Sequence, residues 1–355
     1  MISAAAEYAQ HAYMTKISIC IPTYNGAPYL EACLDSVLNQ TYEDIEVLAV
    51  DDGSTDVTFE ILKRYAASDE RIRLVRNENN LGLVGNWNRC IELAQGEWIK
   101  FVFQDDLIAP HCLERLIAAS AEGVSFIACK RDYLFDEGTC EKVRQFYLDN
   151  QHLIDSTFPE SGSLSAQEYC QLTLDHTGMN FVGEPTSVML RKTVFKRYGL
   201  FNPHLIMSCD LEYWTRVAIH TGLVYVAENL ATFRVHKGAT SETNRTCRQY
   251  RMEVLDSLII LHDIVYAANY AALREAAVNH QPPINLLQRL VENTRGAKWL
   301  AIDAANRPDN PDDSLLIEWH QVEHQYPRLA QLSSKASSHQ GSKLLGAWRD
   351  RFSRF

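Results

Sequence analysis

From Lys16 to Phe103 the chain alternates four short apolar runs with three amphipathic stretches long enough for helices. "KISICIP", "IEVLAVDDGS", "RIRLVRN" and "EWIKFVF" read as strands. Between them lie "YLEACLDSVLNQ", "VTFEILKRYAAS" and "LVGNWNRCIELAQ", the first placing Leu30, Cys33, Leu34, Val37 and Leu38 on one helical face. Strands joined by helices of this length need right-handed crossovers, which give a mostly parallel sheet with helices on both faces. The fold class expected is therefore α/β and Rossmann-like. Ligands of such sheets bind beyond the carboxyl ends of the strands, where "PTYNG", "DDGSTD", "NENNLG" and "QDD" all fall.

The last of these clusters is the most demanding. In "FVFQDDLIAP" an apolar run stops at Asp105 and Asp106, two carboxylates that repel unless both face water or something positive sits between them. A net charge of −11 argues against non-specific nucleic-acid binding, so an anionic ligand would be met locally, through a metal ion or backbone amides. Nine scattered cysteines with no CxxC spacing suggest reduced thiols, and the first residues show no signal-peptide pattern. No apolar run approaches the roughly 20 residues of a membrane span. A cytoplasmic protein is expected, or one at the cytoplasmic face of a membrane.

Past about Ser120 the alternation weakens, and from about Cys247 the pattern is helical, with "MEVLDSLIILHDIVYAANYAALREAA" as its longest amphipathic run. The organisation expected is an extension over 1–15, a nucleotide-binding half over 16–120, an acceptor half over 121–246, and helices over 247–332. A linker over 333–342 and a basic amphipathic tail over 343–355 would follow, the tail suited to an anionic membrane surface or to packing on the protein. "HQVEH" (His320 to His324) matches the H-x-x-E-H zinc pattern but reads as a helix surface.

The ordered set "ISICIPTYNG", "DDGSTD", "NENNLGLVGNWN", "QDD", "CDLEYWTRV" and "FRVH" resembles the family 2 glycosyltransferases of GT-A fold, over residues 16 to about 240. The resemblance implies an inverting transfer from a nucleoside diphosphate sugar, expected to be a UDP-sugar, to a hydroxyl of a saccharide or lipid-linked acceptor in surface polysaccharide or glycolipid synthesis. It implies a donor site drawn from Pro22, Thr23, Tyr24, Asn25, Asp52, Asn80, Asn86, Gln104, Asp105 and Glu184. In it Asp52 accepts from the base, Tyr24 stacks on the base and Asp105 meets the ribose or the water shell of the metal. Asp106 and His236 would hold a divalent cation, Mn²⁺ or Mg²⁺, and Asp210 or Glu212 would be the general base. Gln104 stands where the family often has an acid, and Cys209 where it often has a glutamate. The rival readings are a catalytically inactive sugar-nucleotide-binding protein and a nucleotidyltransferase. The second would carry a basic Gly-rich loop after the first strand, whereas "PTYNGAPYL" has no basic residue. No G-x-G-x-x-G follows that strand, which argues against an NAD enzyme.

Overall fold

The computed structural model describes residues 17–307 and 312–334. The expected alternation is present: β1 (Ile17–Thr23), α1 (Ala27–Leu38), β2 (Ile45–Asp51), α2 (Thr58–Ser68), β3 (Ile72–Arg76), α3 (Gly82–Leu93) and β4 (Trp98–Phe101). β1 pairs in parallel with both β2 and β4, and β2 with β3. One sheet face packs Ile17, Ile19, Ile21, Val47 and Ala49 against Leu30, Cys33, Leu34 and Val37 of α1 and Ile61 and Leu62 of α2. Strand parity sends Cys20, Leu48 and Val50 to the opposite side, where Val84, Trp87, Cys90 and Ile91 of α3 are buried. Pro22 is tolerated in a central strand because β4 pairs with β1 only as far as Cys20, so the missing N–H breaks no ladder bond.

Beyond β4 the sheet is mixed, which amends the mostly parallel expectation. The chain continues through β5 (Leu107–Ile108), α4 (Cys112–Ala118), β6 (Phe126–Phe135), α5 (Glu141–Thr157), β7 (Gly162–Leu164), α6 (Ala166–Asp175), β8 (Val188–Arg191), α7 (Lys192–Tyr198), α8 (Cys209–Thr221) and β9 (Leu223–Val235). The order is β3-β2-β1-β4-β8-β6-β9-β5, with β7 on β9. β8 runs antiparallel to both β4 and β6, while β6 and β9 are parallel through a bulge near Lys130. Reversal at β8 brings the turn before it, 180–187, to the carboxyl end of β4.

The described chain divides into two compact units, one of residues 17–169, 179–203 and 209–236, the other of 170–178, 204–208 and the residues from Lys237 on. The second unit is helical, with α9 (Thr240–Cys247), a π turn (Tyr250–Leu255), α10 (Asp256–Tyr266), α11 (Ala271–Asn279), α12 (Leu286–Ala305), α13 (Ser314–Gln325) and α14 (Pro327–Ser334). The long run expected over 252–277 is broken at Ala267 and bent by 82°. Arg274 Nη1 takes the carbonyls of Ile264 and Ala267, both at 2.7 Å, which ends α10. The longest helix is instead α12, whose first turn is capped by Asn285 accepting from the Gln288 amide at 2.9 Å. Trp319 and Val322 face inward from α13 while His320 and His324 are exposed, so the H-x-x-E-H spacing is a helix surface. No single helix among the described residues is long and apolar enough to cross a membrane. Ser333 and Ser334, expected in the linker, close α14; the N-terminal extension, the rest of the linker and the basic tail lie outside the described residues.

Candidate active site

The first wall of the crevice is built from loops after β1, β2 and β4 that hydrogen-bond one another. Asn25 adopts φ +48°, a left-handed conformation that asparagine tolerates, and its Oδ1 accepts from the Thr55 amide at 2.8 Å. The amides of Asn25 and Gly26 donate to Ser54 Oγ and Thr58 Oγ1, at 2.9 and 2.8 Å. Thr23 is buried, with its hydroxyl on the Val50 carbonyl. Gln104 binds the backbone of Tyr24 on both sides, accepting from its amide at 2.9 Å and donating to its carbonyl at 3.1 Å. A carboxylate there could make only the first bond, which is a reason for an amide at this position. The clamped Tyr24 stays 48% exposed, a ring fixed by its backbone and free on its face.

The base-accepting role expected of Asp52 does not fit its surroundings. Strand parity turns Asp52 toward α3, where Oδ1 accepts from the Leu81 amide and from Asn77 Nδ2, both at 2.8 Å, and Oδ2 from the Gly82 amide at 2.9 Å. It caps the start of α3. Asn80 completes that turn through the Asp52 carbonyl and the Gly82 amide. Asn86 is buried, tying α3 to the Val50 carbonyl, so it too is structural. Asp51 differs. Its Oδ2 meets the Ser54 amide and Arg76 Nε, while Oδ1 is buried and has no hydrogen-bond partner among the described residues. Asp51 is fully buried, so this carboxylate is sealed under the loop and does not line the crevice.

Past the end of β4 the two adjacent acids differ sharply in burial. Asp106 is fully buried; the Thr186 hydroxyl donates to its Oδ2 and the Arg234 amide to its Oδ1 at 3.0 Å. Burial first, then the charge of Asp105, pushes its carboxyl well above the ordinary range. Below it the fully buried Lys100 donates to the Thr186 and Phe101 carbonyls. Asp105 is more open, and its Oδ2 lies 2.9 Å from His236 Nε2. Of the two acids Asp105, with His236 beside it, is therefore the one that could reach a cation, whereas Asp106, the ligand expected from the sequence, is sealed. The rest of the cluster holds this pair in place. Tyr29 sits 4.5 Å from the His236 ring and 4.7 Å from the Arg234 guanidinium, its hydroxyl donates to Asp136, and Arg234 Nε takes the Asp105 carbonyl at 3.0 Å. Arg234 is readable in "FRVH"; Tyr29 and Asp136 carry no local signal.

The carboxylate is a hard oxygen donor that suits Mn²⁺ or Mg²⁺, which complete their shells with water and phosphate oxygens, and the imidazole nitrogen beside it suits Mn²⁺ better than Mg²⁺. Among the described residues no three His, Cys, Asp or Glu side chains converge on a metal site. The donor set fits a cation that shares its coordination with a diphosphate.

The second wall carries the acids of "CDLEYWTRV". Asp210 opens α8, half-buried, with Oδ1 accepting from the Leu211 amide at 2.7 Å and Oδ2 from Asn180 Nδ2 at 3.0 Å. Burial raises its carboxyl to about 7, with the charge of Glu184 adding to the rise against the Leu211 amide and Arg131. Glu212, two residues further along α8, is buried and committed to Arg216, whose guanidinium also takes the carbonyls of Tyr198 and Leu200. That ion pair is structural, so of the two acids Asp210 alone faces the crevice. Glu184 is ion-paired with the buried Arg131 and acts electrostatically on both Asp106 and Asp210. It is therefore close enough to both acids for its charge to disfavour their ionisation.

Residues 18–198, just over half the chain, match the family described as glycosyl transferase family 2. An uncharacterized protein of Mycobacterium tuberculosis, MT1568, is 33% identical over 69% of this chain and 74% of its own length. The putative glycosyltransferase EpsH of Bacillus subtilis is 26% identical over 71% of this chain and 76% of its own. Among solved structures, Staphylococcus aureus TarS 1–349 in complex with UDP-GlcNAc superposes with a TM-score of 0.55 at 17% identity, covering 89% of this chain and 83% of that one. Mannosyltransferase PcManGT of Pyrobaculum calidifontis, in complex with GDP-Man and Mn²⁺, gives 0.50 at 17% identity over 97% and 89%. The sheet order, the crevice and these matches agree: the chain belongs to glycosyl transferase family 2 and has the GT-A fold.

Proposed function

We propose that this protein transfers a sugar from a UDP-sugar to an acceptor hydroxyl with inversion at the anomeric carbon, using a divalent cation and Asp210 as general base. The observation that carries this reading is Asp210 itself: a crevice-facing carboxyl, fixed at a helix start and held at about 7, is matched to taking a proton at neutral pH. The acceptor oxygen bonds to the anomeric carbon on the face opposite the diphosphate, the bond from that carbon to the phosphate oxygen breaks, and the acceptor proton passes to Asp210. Asp105 and His236 would hold the cation, which supplies positive charge to the departing diphosphate. Tyr24, about half exposed, offers a face to the base. Nine scattered cysteines with no CxxC spacing support a cytoplasmic setting, and the acceptor proposed is a surface polysaccharide or a lipid-linked saccharide.

A panel of nucleotide sugars, with and without Mn²⁺, tests the reading by thermal stability. A ligand held only by the native state stabilises it by RT ln(1 + [L]/Kd), and UDP-sugars with Mn²⁺ should stand out. A GDP- or TDP-sugar giving the larger shift would refute the uracil assignment, and a donor that binds but never releases UDP would leave an inactive sugar-nucleotide-binding protein. Tyr24→Ala should weaken UDP by the ~1–3 kcal/mol of one stacked base while leaving the melting temperature close to wild type, since the ring packs little. Titration calorimetry checks this, and unchanged UDP affinity would remove Tyr24 from the site.

A further inference from the structure

The side chain of Asn180 has no freedom in how its amide faces. Its Oδ1 accepts from the backbone amides of Val182 and Gly183, at 3.2 and 2.9 Å, so exchanging oxygen and nitrogen would set donors against donors. Nδ2 must therefore point the other way, where it meets the Gly183 carbonyl at 3.2 Å and Asp210 Oδ2 at 3.0 Å. The turn is itself anchored. Trp214, one helical turn beyond Asp210 on α8, donates Nε1 to the same Gly183 carbonyl at 2.9 Å. Gly183 sits at φ +117°, and a Cβ there would lie 2.7 Å from Ser187 Oγ and 2.8 Å from Arg131 Nη1. The turn 180–183 and the start of α8 are thus joined at two points one helical turn apart.

We infer that Asn180 is a positioning residue for transfer: its forced amide fixes the rotamer of Asp210 and favours the ionised carboxylate, leaving the other lone pairs to the acceptor hydroxyl. This rests on Asp210 being the base. With Oδ1 held by the Leu211 amide and Oδ2 by Asn180, neither carboxylate oxygen can rotate away from the crevice without losing a hydrogen bond.

Three variants decide it: Asn180→Ala, Asn180→Asp and Asp210→Asn. Asn180→Asp keeps an acceptor for the Val182 and Gly183 amides, so the turn survives, but replaces the donor to Asp210 by a second carboxylate. Release of UDP from the UDP-sugar selected by the panel above is followed across pH, with UDP affinity in Mn²⁺ measured separately. Asn180→Ala should lower kcat about 10- to 100-fold with UDP affinity unchanged, as expected for a misplaced reacting group. The acidic limb of its rate profile should move up by about one pH unit, and that of Asn180→Asp further, because like charges disfavour ionisation of Asp210. If Asn180→Asp keeps the wild-type limb and kcat while Asp210→Asn is inactive, the inference falls and the base reading stands. The inference also falls if rate and UDP affinity drop together with an unmoved limb, because Asn180 then only shapes the turn. An active Asp210→Asn would instead overturn the base reading, and this inference with it. Should Asn180→Ala fail to fold, Asn180→Asp carries the test.

Discussion

Asp210→Asn is expected to cut sugar transfer by roughly 10²–10⁴-fold, the range for loss of a positioned general base, while UDP and cation affinity stay near wild type. The wild-type rate should rise with pH to a plateau, with a midpoint near the value of about 7 at which Asp210 is held. The same substitution should affect stability in a pH-dependent way. Between the ordinary value of 3.8 and about 7, the folded protein binds the Asp210 proton more tightly than the unfolded chain does, so wild-type stability falls as pH rises through that window. Asparagine escapes this loss, which amounts to a few kcal/mol once ionisation is complete. Against it stands ~1 kcal/mol for an NH₂ group set against the Asn180 amide. The variant should therefore melt slightly below wild type at about pH 3.5, below the ordinary value, and above it at about pH 8. A melting difference of one sign at both pH values would contradict the buried, proton-retaining Asp210 described here, and retained transfer would move the base elsewhere.

That Asp210 and not Glu212 carries these effects is a matter of orientation, and orientation also divides what sequence patterning reveals from what it does not. Each strand of the parallel half is an apolar run ended by a polar cluster, and both signals are local, so β1 to β4 and the loops after them are legible in the amino-acid sequence. Within each cluster the order of roles is not. "DDGSTD" and "QDD" each offer adjacent acids, and one residue along the chain is the difference between a sealed carboxylate and the cap of α3, or between a half-open acid and a buried one. The antiparallel β8 and the β6–β9 pair leave no local trace because their contacts join distant residues: Tyr133 stands opposite Phe233. Asn180, Tyr29 and Asp136 belong to the same class: each is a single unremarkable residue whose partner is supplied by tertiary structure. Glu212 shows the converse. Two residues after Asp210 it reads as an equal candidate, but a helix turns about 200° in two residues, which carries it away from the crevice to Arg216.

Asp105→Ala and Asp106→Ala should separate cation dependence from stability, because one acid faces the crevice and the other is sealed beneath it. Asp105→Ala removes the carboxylate beside His236, so UDP binding should lose its dependence on Mn²⁺ and weaken by roughly 10²-fold, about 2.7 kcal/mol. Its folding cost should be small, since the side chain is partly exposed and its one side-chain partner can meet water. Asp106→Ala should do the reverse at the outset. It strips the acceptor from the Thr186 hydroxyl and the Arg234 amide in a site without solvent, and each orphaned donor costs about 1–3 kcal/mol. The melting temperature should fall by several degrees even without ligand. Donor affinity would fall only as far as the displaced Thr186 and Arg234 disturb Asp105. Calorimetric titration of UDP with Mn²⁺ and with EDTA, beside thermal melts of both variants, resolves the two effects. If Asp106→Ala abolishes cation-dependent binding at wild-type stability while Asp105→Ala does not, the ligand is Asp106 and the loop 104–106 must rearrange when the donor arrives. If EDTA leaves UDP affinity unchanged in wild type and in both variants, diphosphate charge is met by Arg234 and backbone amides, and the cation has no place in donor binding.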